Sequence, residues 1–371
     1  MNERKAISLF SGAGGMDTGI KKSGFSVLAA LEIDKYCCQT LRAATQRDSS
    51  DTHVIEADIR TVEPGDIADM FNLMPKELDL IFGGPPCQPF SLAGKQKGLD
   101  DERGPLLFEI IRFAEFLKPK AILLEQVKGF LSARGTNGEK SGAFNQFLGE
   151  LNRIGYIPKW QICCAADYGV PQLRERVFIV ATRDRNGFEF PEHTHIPYNE
   201  NINLFNLPSY TTVGDALYGL GEPVPKTVGM TFQNCEDSHV DVTPARDRER
   251  ISYVPEGSYL AAQTHVGIEI RGNLMPKDTT KYLRLDRNKP SNTLRCGEIF
   301  FHPTENRYLT PREYMRIHGY DDDYKLLGPI RSRSGSVKDL DQHRQVANSV
   351  PPPLAYAMGN KIWGYLDEQN I

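Results

Sequence analysis

Through residue 182 the chain alternates short apolar runs with amphipathic stretches, and that rhythm leaves few folds open. Runs at 6–10, 26–31, 53–55, 78–82, 121–124, 159–164 and 177–182 predict strands, and stretches at 34–46, 105–117 and 142–154 predict helices between them. Strand alternating with helix predicts a mostly parallel sheet covered on both faces. Ligands of such sheets bind beyond the carboxyl ends of the strands. The 371 residues, 40% hydrophobic and 25% charged, suffice for one large domain or two ordinary ones with a true core.

Several classes are disfavoured. No apolar run approaches the roughly 20 residues that span a bilayer. The strand-like "KAISLF" starts almost at once, leaving no room for a signal peptide. The seven cysteines are odd in number and lack any CxxC spacing, and the adjacent pairs Cys37-Cys38 and Cys163-Cys164 are poorly placed to grip one metal. The expectation is a cytoplasmic protein with reduced thiols and no metal site. A net charge of -4 speaks weakly against nucleic acid, but a local basic patch is compatible with it.

Near Arg183 the pattern changes: prolines, glycines and polar residues become frequent, which predicts a second, smaller, irregular and β-rich domain. Within it "YLTPREYMRIHGY" predicts a helix, with Thr310 and Glu313 as a capping box, Pro311 at the first turn and Gly319 as the stop. "PPPLAYAMGNKIWGYL" predicts a closing amphipathic helix.

Five strand ends carry chemistry. "SLFSGAGGMDTGI" sets Gly12, Gly14 and Gly15 after the first strand, where glycines let a ligand approach a helix N-terminus. It departs from GxGxxG, because Asp17 stands where the third glycine belongs. Glu32 ends the next strand, a place where an acid commonly holds a ribose diol, and Asp58 ends the third. An adenosine ligand follows, with a nucleotide and S-adenosylmethionine equally compatible at this point. "GGPPCQPFS" then fixes Cys87 in a proline-stiffened loop after an apolar strand. "AILLEQV" places Glu125, a partly desolvated acid, directly after its apolar run, and "PQLRERVFIV" spaces Gln172, Arg174 and Arg176 by two, a row of donors on one face of an extended segment.

Together "FSGAGG", "GGPPCQPFS", "RGPLLFEIIRF", "LLEQV", "QLRERVF", "RYLTPREYMRIHGY" and "QVANSVPPPLA" closely resemble the DNA cytosine-5 methyltransferase family, prokaryotic type, in that family's order. The resemblance implies an α/β, Rossmann-like S-adenosylmethionine-dependent methyltransferase domain at 1–190 plus 343–371. It implies a target-recognition domain and hinge at 191–342, with the variable part at about 191–305. It implies that Cys87 adds to carbon 6 of cytosine, that Glu125 holds and protonates ring nitrogen 3, and that Arg176 contacts the base carbonyl with Arg174 in support. S-adenosyl-L-methionine would be bound by Phe10, Gly12 and Gly14, by Glu32 at the ribose, by Ile33, Asp58 and Leu106 at the adenine, and by Asn348 and Ser349. Two positions depart from the family: Gln126 replaces the usual Asn, and Ala347 the usual Gly, so the latter turn should have ordinary backbone angles.

The resemblance also implies double-stranded DNA as partner, with one cytosine flipped from the stack. Ser91, Lys95, Lys97 and Arg103, in and after the cysteine loop, are expected at the DNA, the three basic residues at its phosphates. "SNTLRCG" resembles a recognition motif, which places Thr293, Leu294 and Arg295 at the DNA. The surrounding stretch holds Arg271, Lys277, Lys281, Arg284, Arg287, Lys289 and Arg295 against Asp278 and Asp286, an excess suited to phosphate contact. The chain is expected to act as a monomer, in a restriction-modification system or alone, with any cognate restriction endonuclease sharing its target without a stable complex. Rival readings are a tRNA-directed relative, a catalytically inactive DNA-binding homologue and, against the Pro-Cys-Gln loop, a dinucleotide oxidoreductase.

Overall fold

A computed structural model describes residues 3–86, 104–135, 138–183, 187–198, 206–226, 238–275, 277–331 and 339–369. The chain divides into two compact units. The first comprises Met1–Cys164, Glu175–Glu192 and Ser349–Ile371, and the second Ala165–Arg174 and His193–Asn348. Ala165–Arg174 lies inside the domain that the sequence expectation began at residue 1, yet it clusters with the second unit. The Ala165 amide donates to the Arg174 carbonyl, closing a short excursion, and Gln172–Leu173 pairs with Ser291–Asn292.

The first unit is built on strands β1 (Lys5–Leu9), β2 (Ser26–Glu32), β3 (His53–Glu56), β4 (Leu80–Gly83), β5 (Ala121–Val127), β6 (Ile157–Cys164) and β8 (Glu175–Thr182). The two-residue β7 (Gln172–Leu173) belongs to the second unit. The sheet order is β3-β2-β1-β4-β5-β8-β6. β1 to β5 pair in parallel, while β8 runs antiparallel to both β5 and β6. The mostly parallel sheet is therefore present, with one reversed strand that the sequence rhythm did not reveal. The central strands read as continuous apolar runs because both of their faces are covered. β4 is wholly buried and β5 buried through Gln126, whereas the edge strands β3 and β6 are largely exposed or half-buried.

Helices α1 (Gly15–Lys22), α2 (Lys35–Arg47), α3 (Pro64–Met70), α4 (Glu109–Leu117) and α5 (Gly142–Arg153) fall between the strands. Ile7, Leu9, Ile81, Ile122, Leu124 and Ile179 on the sheet form the main core with Ile110, Phe113 and Leu117 of α4 and Phe144, Phe147 and Leu151 of α5. Helix α1 packs against the C-terminal helix Pro352–Glu368 so closely that a Cβ on Gly19 would stand 2.5 Å from the Pro352 carbonyl oxygen. Only glycine fits there.

The second unit is irregular, as expected, but among its described residues strand is sparse rather than abundant. Beyond β7 it holds only the two-residue pairs β9 (Val224–Pro225) with β10 (Val240–Asp241), and β11 (Ser291–Asn292) with β7, besides isolated bridges. Short helices occupy Val213–Leu217, Ala245–Ser252, Ile268–Arg271, Pro311–His318 and Gln342–Asn348. The frequent prolines and polar residues that weakened helical periodicity did not signal sheet. They marked loops held by polar contacts. Thr310 and Glu313 form the expected capping box, Pro311 opens the helix, and Gly319 ends it at φ 82°. Glu313 also receives both terminal nitrogens of Arg307, at 2.8 and 2.7 Å, in a pair that is almost fully buried.

Candidate active site

The loop after β1 is shaped by backbone angles rather than by side chains. Phe10, Gly12 and Gly14 all adopt positive φ, at 57°, 54° and 72°. Phe10 is not a glycine, so its left-handed conformation stores strain in the loop. Gly14 caps α1, as the glycine run predicted. A Cβ on Gly12 would meet nothing within 4 Å, so the loop borders open space.

Glu32, at the end of β2, turns its carboxylate back onto this loop. Oε2 accepts from the Gly12 amide at 2.8 Å, and Oε1 accepts from the Ile33 and Asp34 amides, each at 2.8 Å. Burial holds its pKa above the ordinary value. A carboxylate offers about four acceptor positions, so three amides leave capacity for a hydroxyl donor. Ile33 beside it is 39% exposed, an apolar side chain left available at a strand end. Phe10 and Leu106 are half-buried against the main core. Asp58 caps a short 3-10 turn and is gripped by Arg60 through both its backbone amide and its guanidinium. Open space, a half-free acid and an exposed apolar side chain fit an adenosine group. Asn348 is exposed and its Oδ1 accepts from Cys296 Sγ at 2.9 Å, while Ser349 is buried. Ala347 lies in helix Gln342–Asn348 with no positive φ, as its Cβ requires.

Cys87, Ser91, Lys95, Lys97 and Arg103 lie outside the described residues, as does most of the loop that carries them. The approach to Cys87, Gly84–Pro86, is described, and β5 holds it. Gln126, wholly buried, donates from Nε2 to the Pro85 carbonyl at 2.9 Å and accepts the Val127 amide at 3.1 Å. The departure from Asn is therefore an anchor of the cysteine loop. Glu125, 8% exposed, rests against Gly84, where an added Cβ would stand 3.3 Å from Oε2. Arg176 Nε lies 2.9 Å from Glu125 Oε1. Its N–H does not point at that oxygen, which is left without a well-formed hydrogen bond. An acid and a guanidinium thus meet at the edge where the cysteine loop begins.

The expected row of donors divides. Arg176 joins Glu125, but Gln172 and Arg174 are buried and engaged within the second unit. Gln172 Nε2 meets His318 Nδ1 at 2.9 Å and its Oε1 accepts the Leu294 amide at 3.1 Å. Arg174 Nη1 donates to the Ala347 carbonyl at 3.1 Å. Spacing by two was sound for one strand, but the chain breaks between β7 and β8 at Arg174. Thr293 Oγ1 donates to the Leu173 carbonyl at 2.9 Å, and Arg295 is exposed. Leu294, expected at the DNA, is 2% exposed, so its side chain serves packing instead.

The basic stretch is also less free than its composition suggested. Lys281 pairs with Asp278, Arg287 with Glu256 and Lys289 with Asp286. Arg284 is buried and donates to the Glu305 carbonyl. The partner acids that neutralise this stretch come partly from outside it, where a local charge count does not look. Cys37, Cys38, Cys163, Cys164 and Cys296 are free thiols, and among the described residues no cluster could hold a metal ion. No helix there is long and apolar enough to cross a membrane.

Known proteins resemble this chain over nearly its whole length. The model of the C-5 cytosine-specific DNA methylase family matches residues 4–364. The type II methyltransferase M.PspPI of Psychrobacter sp. (strain TA137) is 35% identical over 96% of this chain and 78% of its own. M.NgoMIV of Neisseria gonorrhoeae, also a type II methyltransferase, is 32% identical over 98% of this chain and 99% of its own. A crystal structure described as a DNA modification methyltransferase encoded within an E. coli prophage shares the fold, with TM-score 0.70 at 24% identity over 98% of this chain and all of that one. With the family's match spanning both units and the acid, guanidinium and glycine loop at the carboxyl edge of one sheet, the chain belongs to the C-5 cytosine-specific DNA methylases, the DNA cytosine-5 methyltransferases.

Proposed function

We propose that this DNA cytosine-5 methyltransferase modifies a flipped cytosine within a short duplex sequence, and that S-adenosylmethionine supplies the methyl group when bound. The observation that carries the reading is the meeting of Glu125 and Arg176 beside the anchored approach to Cys87. Cytosine carbon 5 is a poor nucleophile. Addition of the Cys87 thiolate to carbon 6 moves an electron pair toward nitrogen 3, where Glu125 supplies a proton, and leaves carbon 5 electron-rich. Arg176 holds Glu125 and faces the base carbonyl. After methyl transfer, loss of the carbon 5 proton expels the thiol. Gln126 fixes the approach Gly84–Pro86 against the strand that carries Glu125.

Gly12, Gly14, Glu32 and Ile33 form the cofactor site, with Phe10, Asp58, Leu106 and Ser349 around it. The first unit carries the chemistry and the second reads the target, with Thr293 and Arg295 near the DNA. The protein acts as a monomer, in a restriction-modification system or alone, and any partner endonuclease shares the target rather than a complex. The test is methyl transfer from radiolabelled S-adenosylmethionine to duplex DNA and to transfer RNA in parallel. Label in DNA cytosine, lost in Glu125→Ala, supports the reading; label in RNA alone replaces it with the RNA-directed one.

A further inference from the structure

Asp17 stands where a dinucleotide fingerprint has its third glycine, in the first turn of α1, directly after the glycine loop. It is 4% exposed, and neither carboxylate oxygen accepts a well-formed hydrogen bond. The Ser8 hydroxyl is near enough to ease the charge slightly, and itself receives the Ser11 hydroxyl at 2.7 Å. The cation acting on Asp17 is Lys21, whose ammonium is engaged by Ser50 at 2.9 Å and Asp48 at 3.6 Å. Glu32, bonded to Gly12 of the same loop, adds a second negative charge that acts on Asp17. A buried, unpaired carboxylate is costly, and its neighbours do little to relieve it.

We propose that Asp17 is a specificity-determining residue: buried in the helical turn that follows the glycine loop, it favours the cationic methyl donor over its neutral demethylated product. The inference rests on the cofactor reading of that loop. S-adenosylmethionine carries a sulfonium and an ammonium against one carboxylate, a net charge of +1, whereas S-adenosylhomocysteine is net neutral. A fixed negative charge in a low-dielectric surrounding separates the two ligands by charge alone, without touching the sulfur. Product release is eased by the same charge that favours the donor.

The test is calorimetric binding of S-adenosylmethionine, S-adenosylhomocysteine and sinefungin (an analogue with an amine in place of the methylsulfonium) to the whole protein at pH 8. In Asp17→Asn the affinities for the two cationic ligands should fall roughly tenfold while that for S-adenosylhomocysteine stays within about twofold. Asp17→Ser, a second neutral variant, should show the same split. Circular dichroism of both variants checks that the fold is retained. Equal loss for all three ligands, or no loss, overturns the proposal. Absence of binding of any of them to the unaltered protein overturns the cofactor reading with it.

Discussion

Replacing Asp17 with Asn should make the cofactor-free protein more stable, by an amount set by burial. Burial pushes the Asp17 carboxyl from its ordinary 3.8 to about 6, with Lys21 offsetting part of the cost. The folded chain therefore holds a proton that the unfolded chain has already lost. Because the unfolded state binds fewer protons, stability falls as pH rises from about 4, and the whole deficit is present above about 6. The interval from 3.8 to about 6 corresponds to about 3 kcal/mol at pH 8, and to about half of that at pH 5. Asparagine has nearly the same shape and cannot ionise, so it escapes the deficit. Both tryptophans, Trp160 and Trp363, lie in the first unit, so urea denaturation followed by tryptophan fluorescence reports on the unit that holds Asp17. The expected result is a raised midpoint for Asp17→Asn at pH 8 and a gain about half as large at pH 5. A variant no more stable than the parent at pH 8, or one whose gain ignores pH, would refute the claim that Asp17 is an uncompensated buried charge.

Other substitutions separate the parts of the site. Cys87→Ser should abolish methyl transfer while DNA binding, read by gel shift, remains; retained turnover removes the thiol from the mechanism. Glu32→Ala should weaken S-adenosylmethionine binding roughly ten- to a hundredfold, by loss of the carboxylate that orders the Gly12 amide, without moving the methylated sequence. Gln126→Leu leaves the buried Pro85 carbonyl without its partner, at a cost of about 1–3 kcal/mol. Turnover should fall further than stability alone explains, since the cysteine loop loses its anchor; parental turnover in a folded variant contradicts that role. Glu313→Ala leaves the buried Arg307 with Glu305 as its remaining acid and removes one side of the capping box, so it should destabilise the second unit by about 1–3 kcal/mol, measurable as easier proteolysis there.

The parts of this account that were legible in the sequence are those written locally. Strand positions followed from apolar runs, and the capping box at Thr310–Glu313 followed from residues three apart. The strand-end placement of Glu32 and Glu125 followed from the same runs. What was not legible depends on pairing across the chain. The reversal of β8 needs the excursion at Ala165–Arg174, which carries no periodicity of its own. Gln172 and Arg174 looked like substrate donors until distant partners, His318 and Ala347, claimed them. Leu294 is buried although its motif neighbours Thr293 and Arg295 are not. Gln126 showed as a departure from the family, but its target, Pro85, lies forty-one residues away. Asp17 was visible as a missing glycine, and only burial gave it a meaning.

The central claim is methyl transfer to carbon 5 of cytosine in DNA at a defined sequence. The most direct measurement is a base-resolution map of 5-methylcytosine on unmethylated plasmid incubated with the purified protein and S-adenosylmethionine. The account predicts complete methylation of one cytosine within one short recurring sequence, and none with Cys87→Ser. A blank map from folded protein that binds the cofactor would contradict it.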